Sequence, residues 1–88
     1  MARTALTDDE RAVGVRLGEA LRQRRGIAQL SREGVARDAH ISVETLRKAE
    51  QGHSPAISFL VLHRICRTLG LSLDALAQTL TEPVEDID

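Results

Sequence analysis

The segment Ser42-Val-Glu-Thr-Leu-Arg-Lys-Ala-Glu50 holds the side chains with the most distinctive chemistry. Wound as a helix, it turns by about 100° per residue. Val43, Glu44, Arg47 and Lys48 then share one broad sector, and Leu46 and Ala49 fall on the opposite side. The first set combines a branched apolar group, a carboxylate acceptor and two cationic donors. These are the groups to which the DNA major groove responds. Arg or Lys donates to guanine O6 and N7, Glu accepts from cytosine N4, and an aliphatic side chain meets the thymine methyl. Taken by itself, the sector also reads as an ordinary charged face in water.

The neighbouring residues bear on that choice. Arg32 opens the preceding segment and Arg37 follows on it. Backbone N–H groups at a helix N-terminus favour an anion, and an arginine there adds a bidentate partner for phosphate. Ser58 opens a later helix and offers a second such N-terminus. Phosphate contacts position a protein on a duplex, and base contacts specify the sequence.

Five helices must position these groups. Thr7-Asp-Asp-Glu10 has the pattern of a capping box and opens a helix predicted over about 8–26. Val13, Leu17, Ala20 and Leu21 form its apolar stripe, and Arg16, Arg22, Arg24 and Arg25 its polar face. Gly26 is expected to end or loosen it. Ser31 caps a helix over about 32–39, with Val35, Ala36 and Ala39 inward and Gly34 as a weak helix former. Ser42 caps the helix over about 43–51, which Gly52 closes. Ser58 caps a fourth over about 59–69, with Phe59, Leu62, Ile65, Cys66 and Leu69 inward. Ser72 caps a fifth over about 73–80, and Pro83 halts regular structure. No stretch shows strand periodicity. The expected fold is all-α, a compact five-helix domain over residues 1–80 with an acidic tail at 81–88. The pair 32–39 and 43–51, joined by a tight turn, forms a helix-turn-helix unit.

Composition bounds the function. Eighty-eight residues allow one domain. One Phe and no Tyr or Trp make its core aliphatic. Cys66 is the single cysteine, so no internal disulfide forms. The net charge of −1 hides a pattern. Residues 11–67 carry eleven Arg or Lys against five acids, a sum of +6, between ends that sum to −2 and −5. Steering toward a polyanion follows the local field rather than the total. Neither a secretory signal nor a membrane span is legible, so a cytoplasmic chain is expected. No nucleophile-turn motif or phosphate-cradling glycine loop marks an enzyme, and no cofactor is expected. Cys66 reads as a buried structural thiol rather than a redox sensor. His63 and Cys66 stand at i and i+3, but zinc needs three or four ligands. Only His40 and His53 could complete the set, so no metal is expected.

From Arg25 to Gly52 the chain reads RGIAQLSREGVARDAHISVETLRKAEQG, and from Ser58 to Asp74 SFLVLHRICRTLGLSLD. This resembles the phage-repressor/Cro-like (XRE-type) helix-turn-helix family. Val35-Ala36, the Leu46…Glu50-x-Gly52 ending and Leu69-Gly70-Leu71-Ser72 carry the likeness. The resemblance implies a lambda-repressor-like five-helix fold that binds double-stranded DNA as a homodimer. It implies base contacts from Val43, Glu44, Arg47 and Lys48, and phosphate contacts from Arg32, Arg37, Gln51 and Ser58. It also implies an ion pair of Arg25 with Glu50 that ties the first helix to the third. Three residues depart from the family pattern. His40 stands where the family has Gly, at a turn position that often needs positive φ. Gly34 replaces a helix former, and Ala49 is small for its place. Leu73, Leu76 and Leu80 either close the core or form a dimer seam.

The function expected is that of a transcriptional regulator, a repressor reading a palindromic operator. An antitoxin that caps a small basic toxin, with the same DNA-reading helix, is the nearest alternative. A co-regulator is another possible protein partner. The alternative of a different class is an adaptor that keeps the fold without reading DNA. Arg47 or Lys48 locked in intramolecular salt bridges would favour that adaptor.

Overall fold

The computed structural model describes residues 5–81. It contains α1 (Asp8–Ala28), α2 (Arg32–Ala39), α3 (Val43–Glu50), α4 (Phe59–Leu69) and α5 (Leu73–Thr81). The described residues form no strand. No helix among them is long and apolar enough to cross a membrane.

Every helix begins at a hydroxyl side chain. Thr7 Oγ1 accepts from the Glu10 N–H at 3.0 Å, and Glu10 Oε1 accepts from the Thr7 N–H at 2.9 Å, closing the capping box. Ser31, Ser42, Ser58 and Ser72 each accept from the N–H three residues on, at 2.9–3.2 Å. Each cap satisfies a donor that the first helical turn leaves without a partner.

The C-terminal stops depart from expectation in two places, at α1 and at α5. Gly26 does not end α1. It lies inside the helix with no atom near the position of its missing Cβ. Gln29 supplies the stop, in the left-handed region at φ 59°. There the Gln29 and Leu30 N–H groups donate to the Gly26 and Arg25 carbonyls, both at 3.1 Å, using acceptors the helix end would orphan. The α2–α3 turn works the same way. His40 adopts φ 60° and ψ 45°, and the Ile41 N–H reaches the Ala36 carbonyl at 3.0 Å. Gln51 caps α3 and Gly52 follows at φ 87°. Thr81, expected in the tail, belongs to α5. Residues 82–88, the rest of the expected acidic tail, lie outside the described residues, as do residues 1–4.

The core is aliphatic. Leu17, Leu21, Val35, Ala36, Ala39, Leu46, Ala49, Ile65, Cys66, Leu69 and Leu76 are buried. Two expectations change here. Phe59 does not join the apolar stripe of α4. It is 70% exposed. As the first residue of its helix it projects beyond the core, and its ring stacks on His63 one turn later, centroids 5.9 Å apart. Leu76 is only 2% exposed and packs into the chain's own core, which removes it from any seam. Leu73 and Leu80 remain half-buried on the core's edge.

Helix α1 packs against α3, α4 and α5, and α2 against α3 and α4. Two arginines of α1 secure these neighbours. Arg16 donates to the Leu80 carbonyl at 3.1 Å, and Arg24 to the Leu69 and Gly70 carbonyls at 3.3 and 3.2 Å. They fasten the ends of α5 and α4, whose last carbonyls have no intrahelical donor. Much of the positive charge on α1 is therefore structural.

Candidate nucleic-acid interface

Helix α3 divides as its sequence pattern requires. Leu46 and Ala49 are fully buried and Glu50 nearly so. Val43, Glu44, Lys48 and Gln51 are exposed, and Arg47 is partly so. The helix is therefore held by one side while the opposite side meets solvent. Val43 at the first turn is 38% exposed, enough to offer its methyls to a partner.

The inner side is anchored by charge as well as by packing. The Glu50 carboxylate accepts from Arg25 Nε at 2.7 Å and Arg25 Nη2 at 3.0 Å, and from Arg32 Nε at 3.1 Å. Arg25 also donates from Nη1 to the Leu30 carbonyl at 3.1 Å. Hydrogen bonding to Glu50 holds the Arg25 guanidinium above its ordinary pKa, against the opposing effect of burial. A buried carboxylate is tolerable only when paired and hydrogen-bonded, and here two guanidinium groups do both. The cluster joins α1, the start of α2 and the end of α3.

On the outer side, Arg47 lies between two neighbours. Its Nε donates to Glu44 Oε1 at 3.0 Å, its Nη2 to Glu44 Oε2, and its Nη1 to Gln51 Oε1 at 3.1 Å. The hydrogen bond from Arg47 holds the Glu44 carboxyl below its usual range, with the Arg47 and Lys48 charges adding to the effect. The same bond raises Arg47. Lys48 makes no ion pair among the described residues.

The residues expected at phosphates occupy different settings. Arg32 stands at the first position of α2 and is tied through Nε to Glu50, with a third of its side chain exposed. Arg37 is far more open and lies 3.6 Å from Asp38. Ser58 Oγ accepts from the Val61 N–H at 3.2 Å as the cap of α4, and its own O–H remains a donor. Gln51 gives its carbonyl oxygen to Arg47, which leaves its amide N–H groups as donors. His53 lies with Gln51 and Pro55 along a groove shared with Leu6, Arg11 and Val15. Among the described residues no three His, Cys, Asp or Glu side chains converge as a metal set.

The placement of α3 depends on residues that the sequence reading passed over. Gly14 and Gly18, both buried, form the face of α1 that meets the end of α3. A Cβ on Gly18 would sit 2.5 Å from the Glu50 carbonyl oxygen and 2.6 Å from that of Ala49. One on Gly14 would sit 2.8 Å from the Gly52 carbonyl oxygen. The signal was two glycines at i, i+4 in the first half of a helix, a stretch otherwise free of breakers. Such spacing marks a close backbone approach.

Compared with known protein families, residues 16–80 match the helix-turn-helix domain. The chain belongs to the phage-repressor/Cro-like helix-turn-helix family. A comparison with curated proteins found no match. The matched span starts inside α1 and ends within α5, so the helix-turn-helix domain takes in α2, α3, the Arg25–Glu50–Arg32 cluster and the α1–α3 crossing. A helix-turn-helix domain is a DNA-binding unit, and its second helix is the one that enters the major groove. The second helix of the unit in this chain is α3.

Proposed function

We propose that this helix-turn-helix domain is a sequence-specific regulator of transcription, a repressor that reads a palindromic operator as a homodimer. Helix α3 enters the major groove with Val43, Glu44, Arg47 and Lys48 toward the bases. Arg32, Arg37, Gln51 and Ser58 hold the flanking phosphates. Leu73 and Leu80 contribute to the contact between protomers, while Leu76 stays in the core. The protein works in the cytoplasm on the nucleoid, without a cofactor and without catalysis.

The observation that carries this reading is the two-sidedness of α3. Its inner side is clamped by Leu46, Ala49 and a buried ion cluster, and no described residue covers its outer side. A rigid helix presenting donors, an acceptor and methyls is what base-edge readout needs. The ion pair between Arg47 and Glu44 is the feature that would suit an adaptor. Both of its members have side chains at least 40% exposed, however, and Lys48 makes no ion pair among the described residues. Together with Gln51 the pair engages three of the five N–H donors of Arg47, so it does not close the face.

Selection of binding sites from random duplex DNA tests the proposal. The expected result is an inverted repeat with half-site centres about 10–10.5 base pairs apart. Recovery of no preferred sequence would defeat it. Co-purification with a small basic protein, alongside operator binding, would point to the antitoxin form of the same reading.

A further inference from the structure

The hydrogen bonds around Arg47 separate the roles of residues on the outer side of α3. A guanidinium carries five N–H donors. Three are engaged within the helix: Nε and Nη2 with the two oxygens of Glu44, and Nη1 with Gln51 Oε1. Two donors are left, one on each terminal nitrogen. Guanine presents two acceptors, O6 and N7, and a guanidinium meets them with two N–H groups. The acceptors on either side leave Arg47 with as many N–H donors as one guanine has major-groove acceptors.

We infer that Arg47 reads a guanine in each half-site, and that Glu44 and Gln51 are positioning residues for Arg47 rather than independent contacts to a cytosine and a phosphate. This rests on the DNA-reading proposal and refines it. Both Glu44 oxygens already accept from one guanidinium, so a cytosine amino group would have to share them. Gln51 occupies the C-cap of α3, at φ −84° and ψ 1°, one turn beyond Arg47. Glu44 lies almost one turn before it. The side chain is thus held from both directions along the helix. A long side chain fixed before binding loses less freedom when it binds. The Glu44–Arg47 pair is also neutral in sum, so it adds little to phosphate attraction. Its contribution is to selectivity.

The test combines site selection with titration of the selected duplex and of single-base variants. It uses the full chain and the variants Glu44→Ala, Glu44→Gln, Arg47→Ala, Gln51→Ala and the double variant Glu44→Ala/Arg47→Ala. Thermal melts confirm that each folds. Arg47→Ala is expected to lower discrimination at one G·C pair by about tenfold or more. Glu44→Ala and Gln51→Ala should relax the same pair and no other. The double variant should be no worse than Arg47→Ala alone. Glu44→Gln, which keeps an acceptor for Nε, should retain part of the preference. If Glu44→Ala relaxes a different base pair, or if the losses multiply in the double variant, Glu44 reads a base itself and the assignment falls. If Glu44→Ala tightens binding to all sequences equally, Glu44 is only a repulsive charge, and the assignment falls again. A wild-type chain that selects no sequence would remove this inference together with the proposal beneath it.

Discussion

Gly18 of α1 and Glu50 of α3 meet backbone to backbone. A methyl group at position 18 would have to occupy space 2.5 Å from the Glu50 carbonyl oxygen. Alanine would ordinarily strengthen a helix by about 1 kcal/mol relative to glycine. Here the neighbouring atoms are main chain and cannot swing aside, so Gly18→Ala should destabilise the fold by about 1–3 kcal/mol, as overpacking does. Gly26 provides the control on the same helix, because nothing lies within 4 Å of its missing Cβ. Gly26→Ala should stabilise by roughly 0.5–1 kcal/mol. Thermal melts would separate the two, since 1 kcal/mol moves Tm by about 4–8 °C in a domain of this size. Equal shifts would contradict the close crossing.

The same crossing places Glu50 within reach of Arg25. Arg25→Ala removes the bidentate partner of a carboxylate whose side chain is 1% exposed, and leaves it only Arg32. Breaking a buried pair from one side costs about 3–5 kcal/mol. The remaining Arg32 should keep the loss near the lower end. Against a total stability of about 5–15 kcal/mol for a typical domain, that is a large fraction. Denaturant melts should show the midpoint falling sharply. An unchanged midpoint would mean that packing alone holds α3 in place.

What the sequence made legible was what repeats or caps. The hydroxyl caps and the three- and four-residue apolar steps located all five helices, because each rests on local chemistry. The division of α3 into inner and outer residues followed from helical geometry alone. Features made by two distant segments were not legible. Gly14 and Gly18 acquire meaning only when α3 lies against them. Arg16 and Arg24 looked like a charged face, but their partners are carbonyls 64 and 45–46 residues away. Gly26 drew the helix stop away from Gln29, since glycine is the usual left-handed residue and glutamine is not. Phe59 was assigned to the core by its type, but its place at the first turn of α4 puts it past the core's edge.

Cys66 offers a pH test. Burial pushes its thiol above the ordinary pKa. The protonated thiol is thus favoured by folding, so this contribution is fully present below the ordinary thiol pKa. It is lost as pH rises through that value toward the higher value of the folded state. Stability should decline over this alkaline window in the wild-type chain, and less so in Cys66→Ala. Alkylation of the native thiol should be slow and should track global unfolding, because only the thiolate reacts and the side chain is 2% exposed. Rapid labelling of the folded protein at neutral pH would show that the thiol is accessible.

Arg37 and Lys48 separate positioning from reading. Arg32 is a poor probe of phosphate contact, because its removal also strips a partner from Glu50. Arg37 has a side chain 76% exposed and only a loose contact with Asp38. Arg37→Ala should therefore leave the melting temperature in place. It should weaken binding equally on all duplexes and reduce the slope of log K against log salt by about 0.9, one released counterion. Lys48 sits on the outer side of α3 and makes no ion pair among the described residues. Lys48→Ala should cost about 1–3 kcal/mol at the base pair it reads and relax the preference there. The two effects are measured together by titrating operator and scrambled duplexes at several salt concentrations. A Lys48→Ala protein that loses the same affinity on both duplexes would place Lys48 on the phosphates. The specificity of α3 would then rest on Val43 and on Arg47 as Glu44 positions it.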